Sequence, residues 1–136
     1  MRNNEYNVYF SLSGEFDPAL VTSRLGIDPS RSWRSGDVNV MSQLERTSSR
    51  WCLDARDKEA SLELQAADVL DQLRPHELEI RALSEEFSGV LQFVGYFHVS
   101  YPGFGLSSSL VNELSRLNLE IDCDFYYLYS DKREDS

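Results

Sequence analysis

One histidine, two aspartates and a scatter of tyrosines are the residues whose types and spacing come nearest to chemistry. His98 stands on an alternating run over residues 90–101, and Asp122 and Asp124 stand on another over residues 120–129. An imidazole near two carboxylates is the raw material of a metal site or an acid–base pair. A single histidine at strand spacing is more often structural or solvated, however, so these three residues predict no metal and no catalytic set. His76, beside Pro75 at a helix start, reads as a surface residue.

The other reactive side chains say less. Cys52 and Cys123 are the two cysteines, with no CxxC spacing, so they make no zinc site and are expected as free thiols. The serines lie where turn chemistry expects serine, and no nucleophile–histidine–acid spacing stands out. Gly103 and Gly105 flank Phe104 after Pro102, which makes a bend rather than a phosphate cradle. No cofactor is implied.

Charge narrows the partners. The formal net charge is −10, from 23 acidic against 13 basic residues. Such a field repels a phosphate backbone, so nucleic acid is not an expected partner. The bases gather only loosely, at Arg24, Arg31, Arg34, Arg46 and Arg50. Two cysteines, no signal peptide before Tyr6 and no long apolar run point to a cytoplasmic chain without a membrane span.

The elements that must position these groups follow from periodicity. Residues 6–13 alternate, with Tyr6, Val8, Phe10 and Leu12 on one face, as a half-buried strand does. Asp17 is placed to cap a helix with Pro18 at its first position and Gly26 as its left-handed stop. Leu20, Val21 and Leu25 form its inward stripe. Residues 28–37 are turn chemistry, with Trp33 as a plug for one end of the core, and residues 38–47 read as a mobile loop. A strand follows over 49–55, a helix over 59–73, and a second helix from Pro75 to about Phe87 with Leu78 and Leu83 buried. The strongest strand covers 90–101. A helix over 107–117, stopped by Asn118, leads to the last strand at 120–129, with Ile121, Cys123, Phe125 and Tyr127 inward.

A short internal echo links the two halves: Tyr9-Phe10-Ser11-Leu12-Ser13 is similar to Tyr96-Phe97-His98-Val99-Ser100. The helix and stop after each run echo one another too. Two strand–helix–strand units predict an α+β, ferredoxin-like domain. Its four-stranded antiparallel sheet carries helices on one face, with extra helices inserted between the halves. The expected strand order is last, first, third, second, which sets the first strand between His98 and the aspartates and puts Cys52 and Cys123 on opposite edges. Residues 1–130 form the single domain, and 131–136 a disordered charged tail.

The run Phe16-Asp17-Pro18, Val21-Thr22, Leu25-Gly26-Ile27, Pro29-Ser30, Ser32-Trp33 and Gly36-Asp37 resembles the start of a bacterial domain-of-unknown-function family. That family is marked by F-D-P-x-x-[VI]-[ST]-x-x-L-G-[IL]-x-P-[ST]-x-[ST]-W-x-x-G-[DE]. Ser49 and Trp51, Leu73 before Pro75, and the segment 122–126 are similar to its later landmarks. The resemblance implies no established activity, cofactor or catalytic residue. Its members are small solitary domains, which implies interaction sooner than metabolism.

With helices on one sheet face, the other stays open. On these registers it displays Tyr9, Arg50, Cys52, Gln92, Tyr96, His98, Asp122, Asp124 and Tyr126. Aromatic rings beside polar groups suit a binding face, whereas an ordinary solvated sheet is its plain counterpart. The expected function is a non-enzymatic protein-interaction domain, with an immunity or antitoxin-like protein facing a basic partner as its concrete version. A small-molecule sensor is the alternative, and an enzyme centred on His98 the second alternative. Edge strands leave homodimerisation open.

Overall fold

The computed structural model describes residues 2–130. The tail expected over residues 131–136 lies outside them.

The chain opens with strand β1 (Glu5–Gly14), whose Val8, Phe10 and Leu12 are fully buried while Tyr9 and Asn7 lie on the other side. Helix α1 (Pro18–Leu25) begins as its residues dictate. The Asp17 carboxylate accepts from the Ala19 N–H, proline occupies the first turn, and Gly26 ends the helix at φ 71°. Val21 and Leu25 are buried, but Leu20 is exposed. A three-residue strand β2 (Arg31–Trp33) and strand β3 (Ser49–Asp54) follow. The intervening segment is folded by local hydrogen bonds and a bridge between Val38 and Glu45.

Helix α2 (Leu62–Leu73), capped by the Ser61 hydroxyl, buries Leu62, Ala66, Val69, Leu70 and Leu73 at helical spacing. A 3-10 turn (Arg74–His76) contains Pro75 and leads into helix α3 (Glu77–Glu86). There Ile80 and Leu83 face the core and Leu78 faces solvent, which corrects the expectation for Leu78. Strand β4 (Ser88–Phe97) buries Leu91, Phe93 and Phe97. Helix α4 (Ser108–Arg116) is capped by Ser107, Asn118 makes the left-handed stop at φ 59°, and strand β5 (Glu120–Tyr127) closes the fold.

The sheet has five strands in the order β2-β3-β1-β4-β5. All pairs are antiparallel except β4 and β5, which run parallel. The architecture is therefore α+β, as expected, but the sheet is five-stranded and mixed, not the four-stranded antiparallel ferredoxin-like sheet. The last strand, β5, lies beside β4 and not beside β1, and β3 pairs with β1 and not with β4. The reason lies in the connections. Since β1 and β2 both run antiparallel to β3, β1-α1-β2 is a parallel unit with β3 inserted in it. The second unit, β4-α4-β5, closes on itself with adjacent strands. The halves share a local order without sharing a lateral arrangement.

All four helices contribute to one core, built on the face of the sheet that carries Phe10, Trp51 and Phe93. The Trp51 indole N–H donates to the Thr22 hydroxyl at 3.0 Å, so its buried polar atom is satisfied. Trp33 does not plug this core. Its register opposite Arg50 turns it to the helix-free face.

Candidate functional site

The helix-free face is one continuous surface because strand registers stay in phase across all five strands. Tyr9 lies opposite Asp54 on one side and Gln92 on the other, and Gln92 lies opposite Asp122. One step along, Asn7, Val94 and Asp124 line up; a further step aligns Glu5, Tyr96 and Tyr126. In the other direction come Cys52 with Ser11, then Arg50 with Ser13. Tyr9, Arg50, Cys52, Gln92, Tyr96, Asp122, Asp124 and Tyr126 thus share the face assigned to them.

His98 follows the end of β4 at the rim of that face. Its Nε2 lies 3.0 Å from the Glu5 carboxylate, and its backbone N–H donates to the Asn4 side chain. The strand order corrects one expectation: β1 does not separate His98 from the aspartates, since β4 and β5 are neighbours. The register still keeps them apart, because Asp124 stands opposite Val94, four residues before His98. Among the described residues no group of three histidine, cysteine or carboxylate side chains is arranged to hold a metal ion.

Charge is graded across the face. At the β5 side, Glu120, Asp122 and Asp124 are exposed, and none of the three is ion-paired among the described residues. The Gln92 amide spans Asp122 O and Asp124 Oδ2, both at 3.3 Å. Tyr96 and Tyr126 stack beside them, half exposed, with ring centroids 5.1 Å apart and planes 10° from parallel. At the β2 side, Arg46 lies 3.8 Å and Arg50 5.6 Å from the Trp33 ring centroid. Arg24 stands apart from this group, on α1 with Glu79 and Glu86.

Between the two ends lies a packed patch that periodicity alone does not reveal. Arg31 Nη1 donates to both Asp54 carboxylate oxygens, at 2.8 and 2.7 Å, while its guanidinium covers the Tyr9 ring at 4.7 Å. Lys58 Nζ adds contacts to Asp54 at 2.9 Å and Asn7 at 2.7 Å. Beneath this lid Cys52 is buried, although its register points it to the open side. Burial pushes the Cys52 thiol up, outweighing Arg31 and the Ser11 hydroxyl, which favour the thiolate. Burial also raises Tyr9, helped by Cys52 and opposed by Arg31 and Arg50. Asp54 is placed outward by the parity of its strand, but its partner Arg31 escapes sequence reading because β2 lies in a proline- and serine-rich run that resembles a turn. The one available signal was the shared parity of Arg31 and Trp33.

Cys123 is exposed on the edge strand β5, with β1 and β4 between it and β3, which is not an edge, and both cysteines are free thiols. A shallow hollow of about 280 Å³ opens at the rim, between Tyr6, Tyr96 and Lys58. No helix among the described residues is long and apolar enough to cross a membrane.

A family model described as a domain of unknown function (DUF4279) matches residues 4–128, which takes in every strand of the sheet and the whole open face. The chain belongs to the DUF4279 family. Neither the comparison with curated proteins nor that with solved structures returned a match. Membership of this DUF4279 family identifies the domain without assigning it an activity, so function rests on what the face can do.

Proposed function

We propose that this DUF4279 domain is a non-enzymatic protein-interaction module of a bacterial cytoplasm, with the helix-free sheet face as its working surface. The observation that carries the reading is the acidic row Glu120, Asp122 and Asp124, without ion-pair partners among the described residues, beside the stacked pair Tyr96 and Tyr126. Exposed rings supply contact area at low entropic cost, and free carboxylates attract a basic partner and speed its encounter. An immunity- or antitoxin-like role, in which the acidic face covers a basic toxin, is the concrete form. The same acidity works against nucleic acid as the partner.

Co-purification of the tagged chain from its native cell at low salt tests this. A basic protein recovered at stoichiometric level and released by salt is the expected result. A clean preparation with no such protein at low salt would count against the reading.

A small-molecule role is the second reading, favoured by the hollow beside Tyr6, where Lys58 and Glu59 offer both charges. Stabilisation by a ligand in a thermal-shift screen, lost in Lys58→Ala, would support it. An enzyme built on His98 is the weaker reading, because Glu5 already engages the imidazole.

A further inference from the structure

We propose that the outer edge of β5 receives a strand from the protein partner, one that alternates lysine or arginine with apolar residues. The proposal deepens the interaction reading above and rests on it.

The first observation is the edge itself. β5 pairs with β4 without interruption from Val90 opposite Glu120 to Phe97 opposite Tyr127, and among the described residues no strand lies beyond it. Natural edge strands are usually blunted by shortness, charged side chains (lysine above all), proline or a bulge. β5 is eight residues long, EIDCDFYY, with no proline and an unbroken register, and its charged residues are all acids, which repel an acidic strand but not a basic one. Its outward N–H and C=O groups form a template for main-chain pairing.

The second is the side toward the helices. The helical layer stops short of β5, leaving Ile121 44% and Tyr127 55% exposed, with Cys123 between them also exposed. An added strand would carry apolar side chains alongside this shelf and remove it from water.

The third is the other side. Asp122 and Asp124 stand two residues apart on the open face, with no ion-pair partner among the described residues. A neighbouring strand places its alternate side chains directly opposite them, where opposite charges stabilise and like charges repel. Any antiparallel self-pairing centred from Glu120 to Asp124 sets acid opposite acid. A second copy is thereby disfavoured in those registers, and the edge suits a basic strand.

Three capped synthetic peptides test this on the isotope-labelled full chain by hydrogen exchange. One alternates lysine with valine over seven residues; the second is the same peptide N-methylated at alternate amides; the third replaces lysine with glutamate. The lysine–valine peptide in excess should slow exchange at the outward amides of residues 120–127 roughly tenfold or more and leave β2 unchanged. The double variant D122K/D124K should lose affinity for it by at least roughly tenfold and gain protection from the glutamate–valine peptide. Equal binding of the N-methylated peptide, or unchanged exchange over 120–127, would overturn strand addition. Protection of this edge without peptide, rising with protein concentration, would assign it to a second copy and overturn the proposal too. If a native partner protects only the centre of the open face while β5 exchanges freely, strand addition fails and the interaction reading stands. The absence of any native partner removes that reading itself.

Discussion

Gln65 serves Val8 as a neighbouring strand would. The Val8 N–H donates to Gln65 Oε1 at 3.0 Å, and Gln65 Nε2 returns a hydrogen bond to Tyr6 O at 3.0 Å. β3 has left β1 by this point: the last contact is Ala55 N–H to Val8 O. The fully buried glutamine of α2 extends the ladder, and its amide also reaches Lys58 O and Ala60 O. One side chain thus joins β1, the start of α2 and the loop that carries Lys58 onto the open face.

Replacing Gln65 by leucine keeps the volume and removes every one of these partners. Buried backbone groups on β1 would be left unpaired, so unfolding in urea should show a loss of at least about 2 kcal/mol. An unchanged midpoint and slope would show that water or rearrangement replaces the amide.

Gly89 meets α3 more closely than any side chain allows. A Cβ there would lie 2.3 Å from Ser84 Oγ and 2.7 Å from Ser84 Cβ. Gly89→Ala should cost about 1–3 kcal/mol by overpacking. The double variant Gly89→Ala/Ser84→Gly should recover most of it, which thermal melts of the four proteins would reveal.

The two thiols should separate by reactivity. Cys123 is exposed and Cys52 buried, so an aromatic disulfide reagent at neutral pH should titrate Cys123 in the folded chain and Cys52 only on unfolding. Both are raised, Cys52 mainly by burial and Cys123 by shielding together with Asp122 and Asp124. A thiol raised in the folded state contributes stability that is complete below its unfolded value, about 8.5, and is lost as pH rises through the folded value. Denaturant midpoints should therefore fall on the alkaline side of that value, and by less in Cys52→Ala.

Asp68 predicts the opposite limb. Burial would raise it, but the side-chain and backbone hydrogen bonds from Arg56 outweigh that and hold the carboxyl below its ordinary range. Its contribution is present above the unfolded value, about 3.9, and disappears as pH falls through the folded one. Asp68→Asn should flatten the acid side of the stability profile while leaving the alkaline side unchanged.

Tyr96 and Tyr126 are half exposed and stack on each other within the face. Changing both to alanine should alter stability by less than about 1.5 kcal/mol, yet sharply weaken capture of the partner. Retained capture would move the working surface away from this end of the sheet.

Much of this architecture was legible from local chemistry. Asp17, Pro18 and Gly26 dictate a helix of known start and stop, and Asn118 repeats the stop. Period-two runs placed β1, β3, β4 and β5, and parity alone put Tyr9, Gln92, Tyr96, Asp122 and Tyr126 on one face. Those signals act within a few residues, so the chain determines them by itself. Lateral strand order does not arise that way. It is decided by which hydrophobic faces the helices cover once the chain is closed, and β5 found its place beside β4 rather than β1. The same non-local packing made an edge strand of Arg31–Trp33, buried Cys52 beneath Arg31 and Tyr9, and left Ile121 and Tyr127 beyond the helical layer. Most residues of the face were written in the sequence; Trp33 and Arg31, the neighbours across the face and the free edge beside it were set only by the tertiary structure.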